Sequence, residues 1–477
     1  MGETFVVVGG DAAGMSAASK AKREDPDLEV IVFEKGEWVS YGACGMPYYV
    51  KGDIGELEDL VAITPERFRE ERDIDLRTHS EVVGIDREAD SVTVENDEGT
   101  YEQSYDDLLV ATGARAIRPP IDGMDLDGVF TFHSMESARA VRDSVAGESG
   151  ESVDSPDSPD SPDSPDSLDS PDSLDSPESV GIIGGGYIGL EMAEAFDARG
   201  LDVSVFEMLP HVLDPFGDAI AEEVEDHLRE QGVSLHLDTM VEAISGEGGR
   251  VAGVETDAGH HAVDAVLVAT GVAPNAELAE RAGIEVGETG AIATDEYGRT
   301  NDEHVYAAGD CAEARNVVTD APDWVPLALT ANRAGRAIGA TVAGDRTETG
   351  GIVGTAAVKV FDLEVARAGI TDPEVAEEAG FDPVSKVITA ESRAHYYPGG
   401  KPITVEMVGD RESGRLLGAA MVGEEGVAKR IDTVATALHA GMTVEEVQNL
   451  DLSYAPPFSP TWDPVLTAAK VLSGKLE

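Results

Sequence analysis

The stretch SVGIIGGGYIGLEMAEAF, residues 179–196, combines a short apolar run, three spaced glycines and a helical continuation. Gly184, Gly186 and Gly189 form the pattern GxGxxG, which lets backbone amides at a helix start approach a pyrophosphate. The next apolar run, VSVFE, ends at Glu207, where a carboxylate can bond a ribose hydroxyl. We therefore predict a dinucleotide-binding βαβ unit. Glu207 favours NADH over NADPH, because its charge would repel a 2′-phosphate.

A similar unit begins with TFVVVGGDAAGMSAASKAKRE at residues 4–24. Gly9 and Gly14 take the first and last glycine positions, while Asp11 replaces the middle glycine. The following run, VIVFEK, places Glu34 where a carboxylate would again meet a ribose. Two such units in one chain predict two bound dinucleotides.

Each unit is followed by a return strand and a turn, DDLLVATGARAIRPP at residues 106–120 and DAVLVATGVAPN at residues 264–275. Further on, TNDEHVYAAGDCAE predicts a short strand that ends at Gly309 and Asp310. The Asp310 carboxylate can hydrogen-bond a polyol such as the ribityl chain of a flavin. We interpret Cys311 as a packing residue, since free cysteine packs like a small hydrophobe.

The other cysteine, Cys44, lies in VSYGACGMPYYVKGD at residues 39–53. The glycines and the proline around it predict a turn that leads into a new element. A thiol just beyond the first βαβ unit can meet a redox cofactor bound there, but a buried structural cysteine explains this stretch equally well when it is taken alone. Two cysteines cannot make a disulfide framework, which favours a reducing compartment.

The composition argues against several partners. Of 477 residues, 94 are Asp or Glu and 34 are Lys or Arg, which gives a formal net charge of -60. Such a surface repels nucleic acid and anionic membranes. The charge is spread along the whole chain, which suggests a halophilic source. Because we find no secretory signal and no apolar run that could span a bilayer, we expect a cytoplasmic protein. No metal site is predicted.

Two further regions differ from the βαβ units. Residues 154–178 read DSPDSPDSPDSPDSLDSPDSLDSPE, a repeat that we expect to be extended and disordered. After residue 346 the pattern changes to alternating apolar and polar strands, followed by a helix predicted over residues 430–450. Tyr396 and Tyr454 lie in Pro/Gly-rich segments of this region. By themselves such loop aromatics are more often covers for apolar patches than active-site groups.

Together these features closely resemble the FAD-dependent pyridine nucleotide-disulfide oxidoreductases over essentially the whole chain apart from the repeat. The matching segments are SYGACGMPYY with Ser40 and Cys44, GGGYIGLE, AAGD, and the C-terminal HYYPG, KRID and YAPPFSPTWDP. The C-terminal group is similar to the single-cysteine branch, and most of all to the coenzyme A-disulfide reductases. The related NADH peroxidases and NADH oxidases have a histidine in the first glycine-rich turn, where this chain has Ala12 and Ala13.

The resemblance implies the α/β fold class, with two Rossmann-like three-layer domains, one for FAD and one for NAD(P), plus a C-terminal α+β dimerisation domain. The FAD-binding domain is expected in two segments, residues 1–115 and 275–346. The NAD(P)H-binding domain is expected at 116–274, with a disordered acidic insertion at about 147–179. The dimerisation domain is expected at 347–477.

The resemblance also implies that NAD(P)H reduces coenzyme A (CoA) disulfide to two thiols through a Cys44–S–S–CoA mixed disulfide. We expect a lowered pKa for the Cys44 thiol, near the flavin and a helix start. Tyr396 and Tyr454 would donate protons from the other subunit of a homodimer. Three alternatives stay open: an NADH oxidase, a polysulfide reductase, and a flavin electron-transfer subunit that serves a protein partner.

Residues expected to contact FAD or the nicotinamide coenzyme are Gly9, Gly10, Gly14, Glu34, Lys35, Ala111, Thr112, Gly113, Gly184, Gly186, Tyr187, Ile188, Gly189, Glu191, Glu207, Gly271, Gly309, Asp310 and Leu327. By the same resemblance, substrate contacts fall on Ser16, Lys20, Arg23, Ser40, Ala43, Arg72 and Asn332. Lys20, Lys22 and Arg23 also form a cationic cluster in a very acidic chain. This cluster could attract the phosphates of CoA, or it could simply complement the C-terminal end of a helix.

Overall fold

The computed structural model describes residues 3–145 and 177–476. In its first part, apolar runs such as TFVVV and EVIVF become inner strands, because a parallel sheet buries both of its faces. The elements of this part are β1 (Thr4–Val8), α1 (Ala12–Glu24), β2 (Glu29–Phe33), α2 (Met46–Lys51), α3 (Pro65–Arg72), β3 (Asp75–Arg77), β4 (Glu81–Asp86), β5 (Ser91–Asn96), β6 (Gly99–Ser104), β7 (Asp107–Val110) and β8 (Ala114–Ala116).

The second part repeats the strand, glycine turn and helix of the first. Its elements are β9 (Val129–Thr131), α4 (Met135–Val145), β10 (Ser179–Ile183), α5 (Tyr187–Asp197), β11 (Asp202–Phe206), α6 (Asp218–Glu230), β12 (Ser234–His236), β13 (Val241–Glu247), β14 (Arg250–Thr256), β15 (Gly259–His261), β16 (Ala265–Val268) and β17 (Val272–Pro274).

The chain then returns to the first sheet before it builds an antiparallel one. The remaining elements are α7 (Glu277–Arg281), β18 (Val305–Ala307), β19 (Ala314–Arg315), β20 (Pro322–Asp323), α8 (Ala328–Val342), β21 (Ala356–Val360), β22 (Leu363–Gly369), α9 (Pro373–Glu378), β23 (Pro383–Glu391), β24 (Pro402–Asp410), β25 (Leu416–Gly423), α10 (Val427–His439), α11 (Val444–Gln448) and α12 (Pro464–Leu476).

Two parallel five-stranded sheets carry the two glycine-rich turns. The first has the order β18–β7–β1–β2–β3 and the second has the order β12–β11–β10–β16–β9. In open sheets of this kind, ligands bind outside the carboxyl ends of the strands, where the strand order reverses. The C-terminal sheet is antiparallel, in the order β21–β22–β25–β24–β23. The predicted fold class is confirmed.

Helices α1 and α8 lie in direct backbone contact over the first sheet. A Cβ atom added to Gly335 would lie 2.1 Å from the Ala13 carbonyl oxygen, and one added to Gly339 would lie 2.3 Å from that of Ala17. Only glycine fits at such an approach. The contact places the face of α8 that carries Gly335 and Gly339 directly against Ala13 and Ala17 of α1.

Two local predictions differ from the structure. The acidic insertion was expected to extend to about residue 179, but Ser179 already begins β10, and the Glu178 N–H donates to Asp264 at 3.1 Å. Residues 146–176, which hold most of that insertion, lie outside the described residues. The single helix predicted over 430–450 is two helices, because Gly441 adopts a φ of 64° and Thr443 begins a capping box.

Candidate active site

Cys44 lies in a single 3₁₀ turn, Ala43–Gly45, directly before α2. The turn is fixed by a backbone hydrogen bond of 2.8 Å from the Gly42 N–H to the Leu60 carbonyl. The Cys44 side chain is exposed, whereas Cys311 is fully buried and donates weakly to the Val110 carbonyl. Cys311 is therefore a packing residue, as predicted, and Cys44 is the accessible thiol.

The protein groups around Cys44 disfavour its thiolate. Partial desolvation raises the pKa of the thiol, and the carboxylates of Glu191 and Asp310 raise it further. The thiol is solvent-exposed, but the protein atoms packed around it replace part of its hydration. The predicted lowering of the pKa is therefore wrong for the chain by itself. Helix α2 has six residues, and its N-terminus does not outweigh burial and two carboxylates.

Tyr48, which the sequence analysis did not select, links α2 to α5. Its hydroxyl donates a hydrogen bond of 3.1 Å to Glu191 Oε1, across 143 positions of sequence. Burial raises the pKa of Glu191 to about 7. The position of Tyr48, one helical turn after Cys44, is the only sequence signal that could have indicated this role. The Tyr48–Glu191 pair therefore forms a titratable group beside the thiol.

A second contact fixes the same two helices. Glu194, which is 6% exposed, lies in α5 one turn after Glu191. It pairs with Lys51 of α2 at 3.0 Å and with Lys359 of β21. It also accepts the Phe361 N–H at 3.0 Å. One carboxylate thus joins the helix after Cys44, the second βαβ unit and the C-terminal sheet.

The first glycine turn forms a cradle for a dinucleotide. A Cβ atom added to Gly14 would lie 2.0 Å from the Gly9 carbonyl oxygen, so α1 can begin directly over β1 only with glycine there. Glu34 accepts one N–H on each carboxylate oxygen, from Gly10 and from Gly36, both at 2.8 Å. Each oxygen keeps a lone pair, which suits the two hydroxyls of a ribose.

The second glycine turn has the same construction. A Cβ atom added to Gly189 would lie 2.1 Å from the Gly184 carbonyl oxygen. Glu207 accepts the N–H of Gly185 at 2.7 Å and the N–H of Leu209 at 2.9 Å. The two predicted dinucleotide units therefore hold their acidic residues in the same manner.

Asp310 has the environment expected for a flavin contact. Burial alone raises the pKa of its carboxyl to about 6. Among the described residues no donor reaches that carboxylate, although the Asp310 carbonyl accepts a bond of 2.9 Å from Trp324 Nε1. A desolvated acid without a partner fits a hydroxyl-bearing ligand. Asp11 lies close enough to interact with it electrostatically, and burial raises the pKa of Asp11 to about 6.

The remaining residues predicted to contact a cofactor lie in different elements and differ in their hydrogen bonds and packing. Thr112 and Asn275 exchange hydrogen bonds of 2.7 and 2.9 Å, which join the two return turns. Tyr187 begins α5 and packs edge-to-face on Phe216, with 5.5 Å between ring centroids. Lys35 is exposed and makes no hydrogen bond within the described part of the chain. The other predicted positions lie in the second glycine turn, in the first turn of α5, in the return turns, after β18 or directly before α8: Gly186, Ile188, Ala111, Gly113, Gly271, Gly309 and Leu327.

Several predicted substrate residues come together on α1. Ser16 donates a hydrogen bond of 2.6 Å to Asn332 of α8, across 316 positions. Arg72 donates to Ser19 at 2.7 Å, and Lys20 pairs with Glu24. The other three lie elsewhere on the segments already described: Arg23 in the last turn of α1, and Ser40 and Ala43 beside Cys44.

Tyr396 and Tyr454 lie together on the C-terminal part, with 2.5 Å between their hydroxyl oxygens. Both are exposed, at 62% and 46%. Arg430 joins the two segments that carry these tyrosines. It donates hydrogen bonds of 3.1 Å to the Ser392 carbonyl, near Tyr396, and of 2.9 Å to the Phe458 carbonyl, near Tyr454. Among the described residues no hydrogen bond joins either tyrosine to the Cys44 turn.

Comparison with known proteins identifies the family of the chain. Residues 3–335 match the family model described as pyridine nucleotide-disulphide oxidoreductase, and residues 355–464 match the dimerisation domain of the same family. The chain belongs to the pyridine nucleotide-disulphide oxidoreductase family. The recognition made from the sequence is confirmed.

Relatives of this oxidoreductase carry several names. It is 41% identical to an NAD(P)H coenzyme A polysulfide/persulfide reductase of Pyrococcus horikoshii, over 99% of each chain. It is 29% identical to a coenzyme A disulfide reductase of Staphylococcus haemolyticus, over 95% of this chain and 96% of the other. The solved NAD-dependent persulfide reductase from A. fulgidus superposes with a TM-score of 0.90 at 39% identity, covering 99% of this chain and 83% of the other.

Oxidoreductases of this family use FAD together with NADH or NADPH. The residues present fit these groups, because only glycine lets α1 and α5 begin directly over β1 and β10, and because no donor among the described residues reaches the desolvated carboxylate of Asp310. In the described ranges, no helix of the oxidoreductase is long and apolar enough to cross a bilayer. The same ranges contain no cluster of His, Cys, Asp or Glu side chains that could hold a metal ion.

Proposed function

We propose that the protein uses NAD(P)H to reduce the sulfur–sulfur bond of CoA disulfide, with Cys44 as the nucleophile. One observation carries the proposal: the chain has a single accessible thiol and its only other cysteine is buried in a separate apolar cluster. No second thiol of the chain can close a disulfide with Cys44. The second sulfur must therefore come from the substrate.

The chemistry balances around Cys44. Its thiolate attacks one sulfur of the substrate, the sulfur–sulfur bond breaks, and one CoA thiolate leaves and takes a proton, so that Cys44–S–S–CoA remains. When bound, FAD supplies the two-electron link between NAD(P)H and this mixed disulfide. The net reaction converts NAD(P)H, one proton and CoA disulfide into NAD(P)⁺ and two CoA thiols.

A second candidate substrate is a CoA persulfide or a polysulfide. The observation in its favour is the 41% identity to the coenzyme A polysulfide/persulfide reductase of Pyrococcus horikoshii. Attack by Cys44 on a sulfur–sulfur bond would begin this reaction in the same way. The two substrates differ in product, because a persulfide releases hydrogen sulfide and CoA disulfide releases only thiols.

We also infer a homodimer in which Tyr396 and Tyr454 of one subunit serve the Cys44 site of the other. The exposed Tyr396–Tyr454 pair, together with Phe458 at 78% and Trp462 at 52% exposure, supports this inference. The match of residues 355–464 to a dimerisation domain supports it as well. The tyrosine hydroxyls would donate a hydrogen bond or a proton to the leaving thiolate.

The role of Cys44 is tested with Cys44→Ser, using Cys311→Ala as the matched control. Native enzyme incubated with CoA disulfide should carry a CoA-sized mass on the peptide that contains Cys44. Cys44→Ser should still bleach its flavin with NADH, while anaerobic disulfide reduction falls to background. Cys311→Ala should keep both activities. Substantial anaerobic CoA-disulfide reduction by Cys44→Ser would show that another group is the nucleophile.

Coenzyme choice follows from Glu207. Because its carboxylate would repel a 2′-phosphate, kcat/KM for NADH should exceed that for NADPH by about tenfold or more. Glu207→Gln should reduce the ratio of the two kcat/KM values by about tenfold, since it removes one like-charge contact. Glu242→Gln, an exposed carboxylate on β13, is the control. Faster turnover of NADPH by the native enzyme would contradict the assignment.

A further inference from the structure

Segment 213–217 connects the second glycine turn to the C-terminal sheet. The Leu213 N–H donates a hydrogen bond of 3.0 Å to the Gly185 carbonyl, inside the glycine turn. Leu213 and Gly217, at the two ends of the segment, have positive φ angles of 49° and 90°. A leucine keeps such a backbone conformation only where its surroundings hold it there. The segment is therefore a fixed part of the coenzyme-binding unit.

Phe216 of this segment supports the ring of Tyr187, the first residue of α5. Phe216 is fully buried, and the two rings meet edge-to-face with 5.5 Å between their centroids. Tyr187 and Glu191 are one helical turn apart, so they lie on the same face of α5. Glu191 meets Tyr48 and raises the pKa of the Cys44 thiol. Along α5, Tyr187 therefore lies between the glycine turn and the side chains around the thiol.

Arg367 of β22 holds the opposite side of segment 213–217. It donates a hydrogen bond of 2.8 Å to the Pro215 carbonyl, and Thr371 donates one of 2.6 Å to the same oxygen. The guanidinium carbon of Arg367 lies 5.9 Å from the centre of the Phe216 ring, within the range of a cation–π contact. The C-terminal sheet thus fixes the residue that packs on Tyr187.

The surroundings of Arg367 are not those of an ordinary ion pair. Burial lowers the pKa of its guanidinium, and within the described ranges no carboxylate forms an ion pair with it, although 94 residues of the chain are Asp or Glu. Its terminal nitrogens donate to the carbonyls of Pro215 and Gly369, and its Nε is buried without a partner in the described part of the chain. A desolvated cation of this kind costs stability, and proteins keep such costly residues mainly at functional sites.

We propose that Arg367 is a positioning residue for Tyr187 in the reduction of FAD by NAD(P)H. It acts through the Pro215 carbonyl and the Phe216 ring. The guanidinium also interacts with Tyr187 directly, because it counteracts the rise that burial causes in the pKa of the tyrosine hydroxyl. Tyr187 is predicted to contact the coenzyme, and a small displacement of a positioning group lowers a rate strongly. Since flavin reduction needs no disulfide, the proposal is independent of the substrate proposed for Cys44.

A spectroscopic measurement tests the position of the Tyr187 ring without relying on turnover. Fluorotyrosine is incorporated at position 187 of the FAD-loaded enzyme and observed by fluorine NMR. Arg367→Met, which removes the guanidinium but keeps an unbranched side chain, should move the resonance by more than its linewidth, and Arg367→Lys should move it less. The matched control is Arg415→Met, which should leave the resonance in place. Arg415 is a half-buried arginine directly before β25 that also donates to two carbonyls, those of Val317 and Val318. Equal movement in Arg367→Met and Arg415→Met would overturn the proposal.

Anaerobic stopped-flow bleaching of the flavin by NADH separates the limiting rate of reduction from the affinity for the coenzyme. Arg367→Met should lower the limiting rate about tenfold or more, while the Kd for NADH changes about twofold or less. Arg367→Lys should restore part of the rate, because an ammonium group can still donate to the Pro215 carbonyl. Arg415→Met should keep the native rate and Kd. A native limiting rate in Arg367→Met would contradict the proposed role.

A double-mutant cycle with Tyr187→Ala decides whether Arg367 acts through that ring. In the Tyr187→Ala background, Arg367→Met should change the limiting rate less than about twofold, since no ring remains to be positioned. A loss of about tenfold in that background would show that Arg367 acts independently of Tyr187 and would overturn the proposal. If Arg367→Met fails to retain FAD, the same cycle with Arg367→Lys decides the matter, because its loss of rate must likewise disappear in Tyr187→Ala.

Discussion

At the scale of single residues, desolvation and then the charge of Glu191 raise the pKa of the Cys44 thiol. Above about pH 7 Glu191 carries a negative charge, and this charge raises the pKa of the thiol. Glu191→Gln removes the charge and keeps an acceptor for Tyr48, so the Cys44 pKa should move down. Iodoacetamide alkylation of the pre-reduced enzyme, followed from pH 6 to 10, should then reach half its maximal rate at a lower pH than in the native enzyme.

Tyr48→Phe is the control for this experiment. It removes the hydrogen bond to Glu191 but leaves the carboxylate charged at the alkaline pH where the thiol titrates. The alkylation midpoint should therefore stay near that of the native enzyme. If Glu191→Gln leaves the midpoint in place, Glu191 does not control the thiol.

At the scale of secondary-structure elements, Glu194 determines how α5, α2 and β21 fit together. Replacing it with Ala would leave Lys51, Lys359 and the Phe361 N–H without their common partner. We expect Glu194→Ala to lower the free energy of unfolding by about 1–3 kcal/mol, because its carboxylate is buried. Urea denaturation at fixed salt, followed by circular dichroism, measures the change.

Lys359→Ala is the comparison for Glu194→Ala. The Lys359 side chain is 45% exposed, so its loss should lower the free energy of unfolding by only about 0–1 kcal/mol. If Lys359→Ala lowers the free energy of unfolding more than Glu194→Ala does, the buried carboxylate of Glu194 is not the group that holds α5, α2 and β21 together.

At the scale of the whole molecule, shared active sites can be tested by combining subunits of two impaired variants in one dimer. A hybrid dimer joins one Cys44→Ser subunit to one Tyr396→Phe/Tyr454→Phe subunit. If the tyrosines act across the interface, one site in each hybrid has both a native Cys44 and native tyrosines. Purified hybrids with two different affinity tags should then show about half the native turnover per dimer.

The two parent homodimers are the controls. Cys44→Ser should give only background disulfide reduction, and the tyrosine variant should retain a partial activity, since a positioned proton donor contributes about 10²–10⁴-fold. If the tyrosines serve the Cys44 of their own chain, no site in the hybrid is complete. Turnover no higher than the mean of the two parents would then exclude sharing.

The sequence by itself determined the two parallel sheets and their glycine turns. This was possible because the signal is local: an apolar run, glycines at fixed spacing and a closing acid lie within about 30 residues of each other. The packing role of Cys311 was also predicted, because no second cysteine lies beside it in the sequence. The division of residues 430–450 into two helices was missed, although Gly441 was the available signal.

Only the tertiary structure decided which side chains surround the Cys44 thiol and which ones α1 and α8 bring together. Tyr48 meets Glu191 across 143 positions and Ser16 meets Asn332 across 316, and no local pattern encodes such distances. The raised pKa of Cys44 likewise depends on Glu191, which lies in α5, and on Asp310, which follows β18. Ser16 can reach Asn332 because Gly335 and Gly339 let α8 approach α1 closely. Helix propensity and hydrophobic pattern specify each element, but side chains from distant segments meet only when those elements pack.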